Sequence, residues 1–354
     1  MSVQTLAHAD VDLVDMLADL FASVSDGDAV RAIEDAQELP PRLVDAVVGA
    51  GLPFVGVAED AGGPGGTNAD AAAIIKAAGA AACPFPFAEQ ALTGGWLLAD
   101  AGLEVPETPY VTALQSDLEV RGDRVVGSLT RVPWMRQLTT VVALAADGRT
   151  VVIFDVADQE IEPGSSLCGE PRDSISHLDA PLIASGASNR ATLEELEARA
   201  AATRVLLMAG AAESVLAATV QYASERQQFG KPINTFQAVA THLALIAEET
   251  MLVAAAADMV TAALGTSRVV EEVASAKIVA GESSSRVAKS AHQVYGAMGV
   301  TAECDLQLFT RRIWTWRDEH GSEAVWARRL GWRVVDAGPD GAWDLVCEPI
   351  GGTA

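Results

Sequence analysis

The chain has 354 residues, half of them hydrophobic, which suffices for a sizeable core and for more than one domain. A formal charge of −24 and a pI of about 4.4 exclude unaided binding to nucleic acid or to an anionic membrane, since both need Lys and Arg to neutralise phosphates. Cys83, Cys168, Cys304 and Cys347 form no CxxC pair, so neither a zinc site nor a disulfide framework is expected and a reduced cytoplasm fits best. Asp10, Asp12, Asp15 and Asp19 break up the apolar N-terminus with no basic leader before them, so no signal peptide is expected. No uninterrupted apolar run reaches about 18 residues, so no membrane span is expected either.

Residues 1 to about 108 read as helical. Leu13, Met16, Leu17, Leu20 and Phe21 recur at helical spacing, and Leu43, Ala46, Val47 and Ala50 repeat the pattern. Glycines and Pro53 between Gly51 and Gly63 mark a loop; an Ala-rich helix follows from Asp70 to Ala82, and another runs through Leu92 to Ala101. From Tyr110 the period shortens. Val141–Ala145 and Val151–Phe154 are β-branched runs parted by Asp147-Gly148, and Gly122-Asp123 forms a tight turn, so residues 109–190 read as a small, shortened β domain. Long helices return over 191–335, from Leu193 to Arg226, Phe236 to Leu264 and Val269 to Tyr295, as a four-helix bundle requires. Residues 336–354 read as a tail. The class is α+β, mainly α.

Two stretches carry the functional signal. The first is Glu225-Arg226-Gln227-Gln228-Phe229-Gly230-Lys231-Pro232-Ile233-Asn234-Thr235-Phe236-Gln237, directly after a long helix. The second is Gln293-Val294-Tyr295-Gly296-Ala297-Met298-Gly299 through Glu303, with Arg311 beyond it. Together they resemble the two C-terminal flavin-contacting motifs of acyl-CoA dehydrogenases, and Ala58-Glu59-Asp60-Ala61-Gly62-Gly63 resembles that family's Pro-Glu-x-x-Gly-Gly loop with Ala58 in place of the proline. The resemblance spans nearly the whole chain and implies a helical N-terminal domain, a middle β domain and a C-terminal four-helix bundle. It implies FAD as cofactor, with Arg226 at the pyrophosphate, Phe229 and Phe236 packed on the cofactor beside Gln228, Ile233 and Gln237, and Gln293, Gly296 and Ala297 at the adenine-nucleotide half. In the family these residues reach the flavin of a neighbouring subunit.

The segment that holds the flavin ring in self-sufficient members, Thr-Glu-Pro-x-x-Gly-Ser-Asp, has no counterpart here. The chain passes from Pro109–Asp117 almost directly into Gly122–Gly127. Trp134 resembles the aromatic that covers the flavin, and a plain core aromatic is the competing reading; Arg136 stands where a hydroxyl normally approaches flavin N5. The family's catalytic carboxylate is missing at both of its usual places. Counting from Gln293 brings one onto His320, with Glu319 one residue away; counting from Arg226 brings the other onto Ala200, with Glu197 nearly one turn away. Glu319, Glu197 and His320 are therefore the candidates for a base, and the expectation is that none serves.

An intact clasp without a cradle or base resembles the smaller subunit of actinobacterial heteromeric α2β2 acyl-CoA dehydrogenases acting on steroid CoA esters. That resemblance implies a larger, base-bearing partner, an acyl-CoA substrate and a flavoprotein electron acceptor. Three other assignments stay open: a self-contained homotetramer using Glu319 or Glu197, a non-catalytic scaffold of the same fold, and a flavin monooxygenase or nitroalkane oxidase.

Overall fold

The structure, a computed structural model, describes residues 11–114 and 117–347. Among them the chain forms two compact units. One contains the described residues up to Ile75 together with Pro84–Ala200; the other contains Lys76–Cys83 and everything described from Ala201 on.

The first unit opens with helices α1 (Val11–Val24), α2 (Gly27–Ala36) and α3 (Pro41–Gly49). The Asp26 side chain caps α2 by accepting the Ala29 N–H at 2.8 Å. Helix α4 (Asn68–Ala80) follows, and then, where a continuous α-helix was expected through Leu92, a π turn over Gln90–Gly95 leads into the short α5 (Trp96–Asp100). Gly94 and Gly95 supply poor helix formers at that point.

The sheet has strands β1 (Val111–Ala113), β2 (Glu119–Arg121), β3 (Arg124–Pro133), β4 (Thr140–Leu144), β5 (Thr150–Asp155) and β6 (Arg172–Ala187), in the order β1-β4-β5-β6-β3-β2. Only β1–β4 is parallel. Asp147 shapes the β4–β5 turn by accepting the N–H groups of Arg149 and Thr150 at 2.8 and 2.9 Å. The 16-residue β6, absent from the sequence expectation, pairs with β3 along one part and with β5 along another. Leu97, Leu98, Tyr110, Val142, Val151 and Leu196 form the core beneath β4 and β5.

The second unit is helical. α6 (Leu193–Glu225) runs into it and ends in the two-residue strands β7 (Gln227–Gln228) and β8 (Lys231–Pro232), followed by α7 (Gln237–Ala263), α8 (Val269–Tyr295), α9 (Leu306–Asp318) and α10 (Glu323–Cys347). α7 packs along α8, and α8 carries α9 and α10. α6 is long and apolar enough to cross a membrane by length and composition only, and 56% of its most apolar window is buried in the fold. Gly79 and Gly210 let α4 and α6 cross closely: a Cβ at Gly79 would collide with the Leu207 carbonyl, and one at Gly210 with the Lys76 carbonyl. Lys76–Glu213 at 2.7 Å and Ser214 Oγ donating to the Ala80 carbonyl at 2.6 Å fasten that crossing. The expected tail is instead helical to Cys347. It breaks only at Gly338 (φ 68°), after which Pro339 restarts the helix at a position where its missing N–H costs nothing.

Lys277 on α8 is wholly buried. Its Nζ donates to the carbonyls of Trp316 and Arg317 at 2.9 and 2.7 Å, two acceptors that the end of α9 leaves open. Burial, helped by the nearby Arg204, pulls its pKa from 10.5 down to about 7, against the pull of Glu319, Glu323 and Asp318. The folded chain thus releases this proton near pH 7 while the unfolded chain holds it up to about 10.5, so the unfolded state binds more protons in between and stability rises with pH. Urea unfolding between about pH 7 and pH 9 is expected to show that rise, and Lys277→Met to flatten it. An unchanged slope in the variant would assign the dependence to other groups.

Candidate functional site

The end of α6 is shaped as a hairpin. Its last turn hands over through the Arg226 N–H, which bonds the Tyr222 carbonyl at 2.9 Å, and the Arg226 carbonyl then accepts the Ile233 N–H at 2.9 Å. Between them β7 and β8 pair antiparallel, and the turn residues Phe229 (φ 52°) and Gly230 (φ 79°) both lie in the left-handed region. That is the geometry of a type I′ turn, where Asn-Gly is the usual pair. A phenylalanine at the first position costs about 1–2 kcal/mol of backbone strain. It is also 92% exposed. The ring meets Phe236 edge-on at 6.0 Å, and the Lys231 ammonium sits 4.5 Å from the Phe236 centroid.

The second motif ends α8. Gly296 (φ 59°, ψ −137°) leaves the helix, and a 3₁₀ turn runs over Gly296–Val300. Ala297 takes a negative φ inside that turn, so the alanine in place of the family's glycine is unstrained. Tyr295 stacks on Tyr222 at 4.1 Å with the rings 9° from parallel, and its Oη donates to the Ala218 carbonyl at 3.1 Å. Burial pushes the Tyr295 phenol up to about 12.

The two motifs thereby line one open hollow of about 370 Å³. Of the residues predicted from sequence, Arg226, Gln228, Phe229, Ile233, Phe236 and Ala297 form its wall; Gln237, Gln293 and Gly296 are exposed next to that wall. Sequence reasoning gave no role to Tyr222, Val239, Val294, Tyr295 and Met298, although the last three lie inside the second motif. Tyr222 was accessible through its spacing, since it precedes Arg226 by one helical turn. Arg226 is exposed, and among the described residues its guanidinium makes no hydrogen bond or ion pair. Aromatic walls around an unengaged guanidinium fit a dinucleotide, whose rings pack on apolar faces and whose pyrophosphate takes a bidentate donor.

The candidates outside the hollow fare differently. Trp134, read as a cover for the flavin, is 1% exposed with φ 56°, so its ring has no face left for a cofactor and the core reading replaces the flavin one. Arg136, in the same unit, bonds the wholly buried Asp173 carboxylate through Nε at 3.0 and 3.1 Å, and that pairing raises the guanidinium's pKa. Glu319 ends α9 and accepts from Nε of the buried Arg204 at 2.8 Å, which commits a carboxylate oxygen to a guanidinium. His320 has φ 55° and its carbonyl accepts the Trp326 indole N–H at 2.9 Å. Glu197 lies half-buried near the start of α6, in the sheet unit, two residues before Arg199, which pairs with Glu195 and stacks on Trp96 at 4.2 Å. The structure brings Glu319 and His320 together at one turn, and the Glu319 carboxylate, paired with Arg204, is not the free, desolvated base that α-proton abstraction needs.

Residues 192–335 match the profile of the C-terminal domain of acyl-CoA dehydrogenases. Acyl-CoA dehydrogenase IpdE2 of Mycobacterium tuberculosis is 30% identical over 296 residues, covering 79% of this chain and 80% of that protein. Among solved structures, a Tcur3481-Tcur3483 steroid ACAD superposes with a TM-score of 0.80 at 21% identity, over 92% of this chain and 97% of its own. The ChsE4-ChsE5 complex of Mycobacterium tuberculosis gives 0.76 at 20% identity, over 95% of this chain and 99% of its own. The fold is that of the acyl-CoA dehydrogenases. With the match to IpdE2, this chain belongs to the acyl-CoA dehydrogenase family, whose members are FAD flavoproteins.

The strained Phe229 separates stability from binding. Phe229→Asn, which suits a type I′ turn, is expected to raise the unfolding free energy by about 1 kcal/mol while weakening flavin retention. Denaturant melts and an absorbance count of bound flavin check both halves.

Proposed function

We propose that this chain is the flavin-completing subunit of a heteromeric acyl-CoA dehydrogenase of the cytoplasm, and that its larger, homologous partner bears the catalytic base. The observation that carries this reading is the contrast between two arginines. Arg226 stands unengaged in an open aromatic hollow, whereas Arg204 holds Glu319, the acid nearest the family's usual base position.

When bound, FAD supplies the acceptor for hydride in α,β-desaturation of an acyl-CoA thioester. This chain's part is positional. Arg226 holds the pyrophosphate, Phe229 and Phe236 exclude water from the nucleotide, and Gln237, Gln293 and the turn at Gly296-Ala297 orient its adenine half. The likeness to a steroid ACAD and to a two-protein complex supports a steroid-derived acyl group and a second, different subunit. Electrons then leave to an electron-transferring flavoprotein.

Co-expression with the neighbouring acyl-CoA dehydrogenase gene tests the proposal. The pair is expected to purify as a yellow complex, the isolated chain to bind little FAD, and Arg226→Ala in the complex to cut bound flavin by about tenfold or more, the loss of a charge-assisted contact. Glu319→Gln and Glu197→Gln are expected to leave turnover per bound flavin unchanged, although Glu319→Gln lowers stability by about 3 kcal/mol by removing the charge that faces buried Arg204. A full complement of FAD in the isolated chain, with turnover abolished by either Gln variant, would instead establish a self-sufficient enzyme.

A further inference from the structure

A histidine supports the turn of the second motif. His292 stands one helical turn before Gly296 on α8, and its carbonyl accepts the Gly296 N–H where the helix ends. Its ring reaches α9, with Nε2 3.0 Å from the Oγ1 of buried Thr310. The other ring nitrogen lies against the turn over Gly296–Val300. Nδ1 is buried and has no hydrogen-bond partner. A Cβ on the buried Gly299 would stand 3.2 Å from Nδ1, 2.8 Å from the Tyr295 Cβ and 3.3 Å from Leu306. Gly299 therefore packs on the imidazole with no room to spare, and the turn rests on the ring.

That contact ties the turn to one protonation state. A neutral imidazole can donate from Nε2 to Thr310 and leave Nδ1 bare. An imidazolium carries a hydrogen on both nitrogens, and the one on Nδ1 then meets Gly299 with no acceptor. The ionisable side chains on the surrounding elements are Lys289 and Tyr295 of α8, Tyr222 of α6, Glu303, Cys304 and Asp305 before α9, and Arg311 and Arg312 on α9. Burial, and none of these charges, holds the His292 pKa below its ordinary 6.5. The unfolded chain thus takes up this proton at a higher pH than the folded one, so the packed turn is at full strength above about pH 6.5 and weakens as the pH falls below it.

We propose that His292 is a positioning residue for the dinucleotide: its neutral ring holds the Gly296–Val300 turn in the shape that presents Gly296 and Ala297 to the adenine half, and protonation of the ring releases that hold. The inference rests on the flavin reading for what the turn grips, and on the contacts of the ring itself for how the turn is held.

Bound flavin in the co-expressed complex, followed from about pH 7.5 to about pH 5.5, tests this. The wild type is expected to lose at least about threefold across that range and to recover on return to the starting pH with FAD added. His292→Gln, a neutral amide that takes up no proton, is expected to give a flat profile, and His292→Ala to hold little flavin at either end. A ring that only fills space would give the alanine loss with no difference in profile between the wild type and His292→Gln. Matching profiles, or full flavin in His292→Ala, would overturn the proposal; the glutamine variant keeps the test decisive if the alanine variant misfolds. The flavin-free chain supplies an arm independent of the cofactor: the Gly299 amide resonance is expected to follow the His292 ring titration in the wild type and to stay still in His292→Gln. A Gly299 amide unmoved while the ring titrates would likewise sink the proposal. Failure of the flavin reading shows elsewhere, as Arg226→Ala without effect on bound flavin.

Discussion

The stack of Tyr222 on Tyr295 is the contact on which the clasp depends. The two rings lie 4.1 Å apart and nearly parallel, one on the last turn of α6 and the other on the last residue of α8. Arg226 follows Tyr222 by one helical turn, and Gly296 follows Tyr295 directly. The aromatic pair therefore fixes the guanidinium relative to the second motif through helices instead of loops, which is how a binding geometry is kept tight. The Tyr295 hydroxyl, bonded to the Ala218 carbonyl, adds a polar tie in the same place. Held this way, the hairpin can sustain a phenylalanine at φ 52° because its flanking strand bonds and the Ile233-to-Arg226 bond over-determine the turn.

The other end of the same helical unit is built for the opposite purpose. Arg204, Glu319 and Lys277 come together where α9 ends, with Arg317 and Glu323 paired alongside at 2.9 Å. A catalytic carboxylate must be dry yet uncommitted, so that it can take a proton from carbon. Glu319 is committed, and breaking a buried pair of this kind by removing one partner costs about 3–5 kcal/mol. The Arg204–Glu319 pair ties α6 to the end of α9, and the Lys277 bonds to the Trp316 and Arg317 carbonyls tie α8 to the same place. In the sheet unit the Arg136 guanidinium is likewise spent on Asp173 and on the carbonyl of Gly164 at 3.2 Å.

How much of this was legible beforehand follows from where the information lies in the chain. α6, α7 and α8 were readable almost to the residue, because Ala-rich runs end at Gly230-Lys231-Pro232, at Gly265 and at Gly296, local breakers whose effect no distant contact reverses. β4 and β5 were readable from valine runs around an Asp-Gly turn. β6 was not: it mixes Asp, Ser, His and Pro and changes partner along its length, so no single alternation marks it. Pro181 survives in it at the last rung of the β3 pairing, where a missing donor does least harm. The end of the chain misled in the other direction. Gly338, Pro339 and Gly341 read as a tail, yet one positive φ at Gly338 absorbs the break and leaves helix on both sides. The site was legible as two motifs, and their meeting in one hollow was not, because the Tyr222–Tyr295 stack joins residues far apart in sequence. The same holds for Arg204 and Glu319, 115 positions apart, whose pairing decides the fate of the nearest candidate base.

Charge balance shows why the unengaged cation matters. With 48 acidic residues against 24 Lys and Arg, a cation has acids to choose from almost anywhere on this chain. Buried or half-buried arginines take them: Arg199 takes Glu195, Arg204 takes Glu319, Arg268 takes Glu272 and Arg333 takes Glu271. An exposed pair contributes only about 0–1 kcal/mol, so leaving Arg226 without one sacrifices little stability. In an acidic surface field, however, such a guanidinium is a local positive point that attracts an anion. Arg226 stands among aromatics, where desolvation by a bound group would strengthen its hold on a pyrophosphate.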